Sequence, residues 1–274
     1  MKQSQNTLGI IAGGGVLPRE VIQAARRQKR PVFVLALKGQ ADTRILEGIS
    51  GDWIGLGQVG KAISLFKKAG VRDIVFIGAV RRPSVSEIRP DWKALTMLMK
   101  VGFRLLGDDN LLRIILGEAE KQGFHVVGVD SVLPELLAEK GVYGKVKPGS
   151  ADEKDIRQGC QVAKLLGQAD VGQAVVVQRG LVLAVEGIEG TAALIKRSAA
   201  LKRKGDGGVL VKVSKPQQDR RVDLPTIGPR TVQAVYDAGL KGIAVESGSA
   251  LIAEADKMVK LADKLGIFIV GVEC

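Results

Sequence analysis

The residues best equipped for chemistry in this 274-residue chain are gathered between Gly205 and Thr231. The run opens on glycine-rich turn chemistry, and Val209 to Val213 then alternate like a strand. Pro216, Pro225 and Pro229 each remove an amide donor and push the preceding residue away from the helical region. The segment after Lys215 therefore reads as a stiffened loop that ends in a helix starting near Pro229. It holds Asp219, Arg220, Arg221, Asp223 and Arg230, with Thr226 and Gly228 just ahead of the helix. A solvated surface loop would account for charge alone. Ordering such a loop costs conformational entropy that a linker has no need to spend, and the prolines point to a site. Cations in this number suit phosphoryl oxygens: Lys212, Lys215, Arg220, Arg221 and Arg230 can neutralise them. Asp223, set between cations, is the first choice for an essential acid that orients water or holds a hard cation, with Asp219 and Asp206 next.

Further candidates lie along the chain. Leu8 to Ala12, Gly13-Gly14-Gly15 and a helix opened by Pro18 form a strand, glycine turn and helix N-terminus, an arrangement that lets backbone amides approach phosphate. A tight turn without ligand is the plain alternative. It is not a dinucleotide fingerprint, because Pro18 stands where the third glycine belongs and the next strand ends in Lys38, not an acid. Arg81 and Arg82 follow the strand Ile74 to Ile77, where ligands meet the carboxyl ends of strands in open α/β sheets. Asp108 and Asp109 precede a helix from Leu111; one is an ordinary N-cap, and the pair could hold a metal or a sugar hydroxyl. Glu186 and Glu189 end a hairpin, and Glu246-Ser247 ends the strand Leu240 to Val245, suited to phosphate, sugar or simple capping. His125, the only histidine, lies in an apolar strand and reads as structural.

Composition excludes several classes. Apolar and charged fractions of 46% and 26% are ordinary globular values. Two cysteines, Cys160 and Cys274, far apart and without paired spacing, exclude a zinc ribbon or a disulfide scaffold and agree with a reducing cytoplasm. No signal-peptide core and no apolar run of spanning length is present. The net charge of +12 is uneven: residues 1–150 carry 23 Lys and Arg against 14 Asp and Glu, and residues 151–274 carry 18 against 15. That asymmetry implies an anionic partner, a nucleotide phosphate or an anionic bilayer surface. Nucleic acid is not expected, since no binding motif or aromatic interleaving accompanies the charge.

The run Lys215 to Pro229, the opening Gly9-Ile-Ile-Ala-Gly-Gly-Gly-Val-Leu-Pro18, Ala79-Val-Arg-Arg-Pro83 and Gly107-Asp-Asp109 together resemble the LpxI-type UDP-2,3-diacylglucosamine diphosphatases of bacterial lipid A synthesis. The similarity runs in order over nearly the whole chain, and the Lys215–Pro229 motif is its most specific part. The resemblance implies magnesium-dependent hydrolysis of the pyrophosphate of UDP-2,3-diacylglucosamine to UMP and 2,3-diacylglucosamine 1-phosphate (lipid X), with attack on the β-phosphorus. It marks Asp223 within Asp-Leu-Pro-Thr-Ile-Gly. It also implies an acid after Glu189-Gly190-Thr191, where this chain has Ala192.

These readings give a set of expectations. Asp223, Asp219, Lys215 and Arg230 are the expected catalytic residues, and Asp223, Asp219 and Glu189 the expected magnesium ligands. Gly13, Gly14, Gly15, Arg81, Arg82, Asp108, Asp109, Lys212, Arg221, Thr226, Gly228, Glu246 and Ser247 are expected to bind substrate. Strands and helices alternate as in a doubly wound sheet, then give way beyond the Gly- and Pro-dotted stretch 131–150 to a hairpin across Arg179-Gly180 and more α/β units. The fold expected is α/β in two domains, a Rossmann-like parallel sheet over 1–135 and a mixed catalytic α/β domain over 136–274, with the site in the cleft between them. A cytoplasmic enzyme loosely attached to the anionic inner membrane follows, with a homodimer allowed. The helix 91–106 is apolar enough for a buried core or for acyl chains. The competing class is a non-catalytic nucleotide- or lipid-binding regulator; a nicotinamide oxidoreductase is disfavoured by the missing glycine and acid.

Overall fold

A computed structural model describes residues 6–81, 90–101, 108–205 and 207–274, with side chains throughout except at 97–101 and 108–111. Arg82 and Asp206 lie outside the described residues, and the side chains of Asp108 and Asp109 do also. The chain divides into two compact units, residues 1–134 and 135–274.

The first unit is built on five strands, β1 (Thr7–Ala12), β2 (Val32–Leu37), β3 (Gly51–Ile54), β4 (Val71–Ile77) and β5 (His125–Val126). Every pairing is parallel, and the order is β3-β2-β1-β4-β5, the Rossmann-like arrangement expected. Helices α1 (Leu17–Arg27), α2 (Val59–Lys68), α3 (Trp92–Val101) and α4 (Asp108–Lys121) join them. Near-continuous apolar strands such as Val32–Leu37 suit a parallel sheet. Leu8, Ile10, Val34, Leu35 and Val75 are accordingly fully buried. Asp91 caps α3 by accepting from the Ala94 amide at 2.9 Å, and its other oxygen accepts from Gly60 N at 2.6 Å, tying the start of α2 to that of α3. The strand expected over 124–129 is only two residues long, because β5 pairs with β4 only at Asp73 and Ile74 before a 3-10 turn at Val129–Ser131 takes the chain away.

The second unit carries a six-stranded sheet, ordered β6 (Gly141–Tyr143), β13 (Phe268–Val272), β11 (Gly242–Glu246), β9 (Val209–Lys212), β7 (Ala174–Gln178) and β8 (Leu181–Val185). Strands β9, β11 and β13 are parallel; β6 on one edge and β7–β8 on the other are antiparallel, so the sheet is mixed. Helix α5 (Ser150–Gln168) packs on one face through Ile156, Cys160 and Ala163, against Val175, Val177, Val209 and Val211. Its Gly159 permits that approach, since a Cβ there would lie 2.4 Å from Val211 Cγ2. Helices α6 (Gly190–Leu201), α7 (Pro229–Asp237) and α8 (Ala255–Leu265) cover the other face, burying Leu194, Ile195, Val232, Val235, Met258 and Ala262. A short parallel pair, β10 (Thr226–Ile227) and β12 (Leu251–Ile252), closes the end of the long loop after β9.

Cys160 and Cys274 are joined by a disulfide, with Cα atoms 5.3 Å apart. This corrects the expectation of two unpaired cysteines. The partners are 114 residues apart in sequence, and only the packing of α5 beside β13 brings them together.

Candidate functional site

In the first unit the glycine turn lies at the switch point between β1 and β4. Gly13 N donates to Ile77 O at 2.9 Å, and Gly14 exchanges hydrogen bonds with Ala79. A Cβ on Gly13 would lie 2.7 Å from Ala79 O, and one on Gly14 2.9 Å from Gln40 O, so these glycines serve close backbone packing. The amides of Gly13 and Gly14 are thereby committed. Gly15, at φ 92°, begins the uncapped entry to α1, and a Cβ there would meet nothing within 4 Å. Arg81 N donates to the Gln40 side chain at 2.9 Å just past β4.

In the second unit the loop between β9 and β10 is an ordered structure. Val222 N and Asp223 N both donate to Asp219 O, which turns the chain so that Asp223 follows Asp219 around one bend. Gln218, itself buried, donates from Nε2 to Asp223 Oδ2. Gln217 ties back to Gly167 O at 2.6 Å. Lys215 reaches Asp170 at 2.7 Å, and Arg220 donates to Gly248 O. Each tie lowers the conformational freedom of the loop.

Lys212, the last residue of β9, is the buried cation beneath this loop, only 8% exposed. Its ammonium donates to Thr226 O at 3.1 Å. Burial holds the lysine below its usual range, and the charges of Glu186 and Asp223 oppose that shift. Glu186 is 6% exposed and fixed at both oxygens, by Thr191 Oγ1 at 2.6 Å and Gln173 N at 3.0 Å. Lys212 with Thr226, Gln218 with Asp223, and Glu186 with Thr191 and Gln173 thus form three hydrogen-bonded groups at and beneath this loop.

Other expected residues are engaged separately. Asp219 is held by Arg221 through Nε at 2.9 Å and Nη2 at 2.7 Å. Glu189 pairs with Arg197 at 2.5 Å on the outer side of α6, beside Lys196, which commits an oxygen expected to bind metal. Glu246 accepts from Lys164 at 2.6 Å and from Ser214 N and Oγ, and the Ser247 hydroxyl donates to Val272 O. Gly228 caps α7, and Arg230 is exposed in its first turn. His125 is exposed, its side chain 3.6 Å from Asp73. Gln218 escaped the sequence reading because glutamine carries no charge; its one signal was a place inside the proline-bounded run. Thr191 and Lys164 were missed likewise, and only contacts reveal them.

Among the described residues no group of three His, Cys, Asp or Glu is suited to a metal. Magnesium commonly takes one or two protein carboxylates and completes its shell with water and substrate phosphate. Asp223 fits that role, since the one hydrogen bond on its carboxylate falls on Oδ2. Asp219 and Glu189 are committed to arginines.

Residues 7–136 match the LpxI N-terminal domain, and residues 139–270 match the LpxI C-terminal domain. The chain belongs to the LpxI family. It is 40% identical to the UDP-2,3-diacylglucosamine pyrophosphatase LpxI of Caulobacter vibrioides, over 97% of both chains. Among solved structures, the biotin carboxylase subunit of pyruvate carboxylase is 12% identical over 64% of this chain and 35% of its own, with a TM-score of 0.26. Isoflavone reductase is 10% identical over 98% of this chain and 79% of its own, with a TM-score of 0.29. Both likenesses are too slight to bear on fold or function. Where the resemblance implied an acid, Ala192 is exposed in the first turn of α6, and the neighbouring Thr191 holds Glu186.

Proposed function

We propose that this LpxI-family enzyme hydrolyses the pyrophosphate of UDP-2,3-diacylglucosamine, releasing UMP and 2,3-diacylglucosamine 1-phosphate. The observation that carries the reading is the near-full-length identity to a relative named for that substrate. Water adds to the β-phosphorus, the bond to the bridging oxygen breaks, and UMP leaves with that oxygen. Asp223 orients the water from a loop already fixed by Gln218 and by the turn at Asp219. Arg230, exposed in the first turn of α7, and the adjacent helix N-terminus favour substrate phosphate oxygens. Magnesium, held by Asp223 and the substrate phosphates, would neutralise charge on the phosphoryl oxygens.

The diacyl substrate and the net charge of +12 support loose attachment to anionic inner-membrane surfaces from the cytoplasm. Among the described residues no helix is long and apolar enough to cross a membrane. Trp92, 76% exposed at the start of α3, is the largest apolar side chain offered to such a surface among the exposed ones.

The test is an incubation of the purified protein with UDP-2,3-diacylglucosamine, with and without magnesium, following UMP. Stoichiometric UMP and lipid X only with the metal are expected. Binding without turnover at every metal concentration would make the protein a regulator instead.

A further inference from the structure

The β-sheet register of the second unit places two buried ionisable residues in one row. Glu186 N donates to Ala174 O at 2.8 Å, one step beyond the pairing of Val185 with Val175. Ala174 is in turn the partner of Lys212 in the β7–β9 pairing, and Lys212 that of Val245. Residues in register across a sheet project from the same face. Glu186, Ala174, Lys212 and Val245 therefore share the face covered by α6, α7 and α8, where Ala174 and Val245 belong to the core. The two outer members of the first three are about 10 Å apart at the backbone, at two strand spacings. Ala174 contributes only a methyl group between their two long side chains.

The glutamate end of this row is immobilised. Thr191 Oγ1 and Gln173 N occupy one carboxylate oxygen each, and the residue is almost wholly buried. The lysine end is less satisfied: the ammonium has three donors and, among the described residues, makes one hydrogen bond, to Thr226 O. Thr226 closes the loop three residues after Asp223, and Gln218 holds Asp223 through Oδ2. Buried charges of this kind are seldom there for stability, since apolar residues of similar volume commonly serve as well or better.

We propose that Glu186 is a positioning residue for the hydrolytic site: its buried charge, on the sheet face it shares with Lys212, keeps the ammonium under the loop, where it holds Thr226 O three residues after Asp223. The proposal rests on the reading of Asp223 given above. Glu186 touches no substrate; its effect passes through Lys212.

The test uses the full-length chain with Glu186→Gln, Lys212→Met, the double variant and Asp223→Ala. Each is measured for kcat and KM by UMP release and for thermal midpoint. Glu186→Gln is expected to lower kcat by about 10- to 100-fold, the range seen when supporting partners of a site are removed, with KM changed less than about twofold. Glu186→Gln also removes a buried negative charge from the face that Lys212 shares and disturbs the Thr191 and Gln173 hydrogen bonds, so its midpoint should fall. The double variant removes both charges and should regain the midpoint while kcat stays low. Recovery of kcat together with the midpoint would show a merely structural pair and overturn the proposal. Normal turnover in Glu186→Gln beside an inactive Asp223→Ala would overturn it while sparing the reading of Asp223. Normal turnover in Asp223→Ala would sink both.

Discussion

Asp223 is where charge, backbone and neighbours agree. Its loop is bounded by prolines and closed by hydrogen bonds that do not use its Oδ1. Asp223→Ala should leave the fold intact, because the site loop creates no core cavity, and should cost about 1 to 3 kcal/mol for the buried Gln218 donor it leaves without its acceptor. Turnover should fall by about 10² to 10⁴, the usual cost of losing a group that acts in the transition state. Arg230→Ala, by contrast, should raise KM as well, since its proposed contact with phosphate exists before reaction. UMP release across substrate and magnesium concentrations separates the two variants. Glu246 shows a charge used for structure. Burial raises its carboxyl, yet Lys164 and the Ser214 amide and hydroxyl together hold it below the ordinary glutamate value of 4.5. A depressed folded value means stability that is present above 4.5 and lost as pH falls through the folded value. Urea midpoints taken on both sides of that value should drop on acidification, and Glu246→Gln should flatten the decline.

At the scale of elements, the β7–β8 hairpin depends on a residue far from it in sequence. Arg179 and Gly180 have φ of 51° and 73°, the left-handed pair that a two-residue turn needs. The arginine is an unfavourable choice at positive φ, and buried Asp155 on α5 offsets this by accepting from both turn amides, at 2.8 and 2.7 Å. Asp155→Ala strands those donors and should cost about 3 kcal/mol, the scale of hydrogen bonds to a charged group; thermal or urea unfolding measures it. The hairpin itself was legible from its apolar runs and the Arg-Gly step. So were β1, β2, β9 and β13, whose apolar runs match burial. Strands β6, β10 and β12 were not, being two or three residues long and existing only through their partners. Short edges of that kind carry too few residues for a period to show.

On the whole-molecule scale, the uneven net charge of +12 is the feature on which the proposed membrane attachment rests. Flotation with anionic liposomes should fall sharply as salt rises, because the Debye length shrinks from about 10 Å at 0.1 M to about 3 Å at 1 M. Retention unchanged by salt would identify an apolar anchor instead. The sequence by itself determined the α/β class, the two-part organisation and the LpxI family, and it pointed to the 205–231 loop, since periodicity, proline placement and motif order are local properties. Tertiary structure alone decided which charges are committed. It set Asp219 on Arg221 and Glu189 on Arg197, joined Cys160 to Cys274, and put Gln218 on Asp223. It also placed Glu186 and Lys212 on one face of the sheet, two strands apart with Ala174 between them. The disulfide and the Glu186–Lys212 row depend on packing and register between segments distant in sequence, and the pairs two to eight residues apart on how local turns fold; the energies that make them fall off over a few ångströms that no linear spacing records.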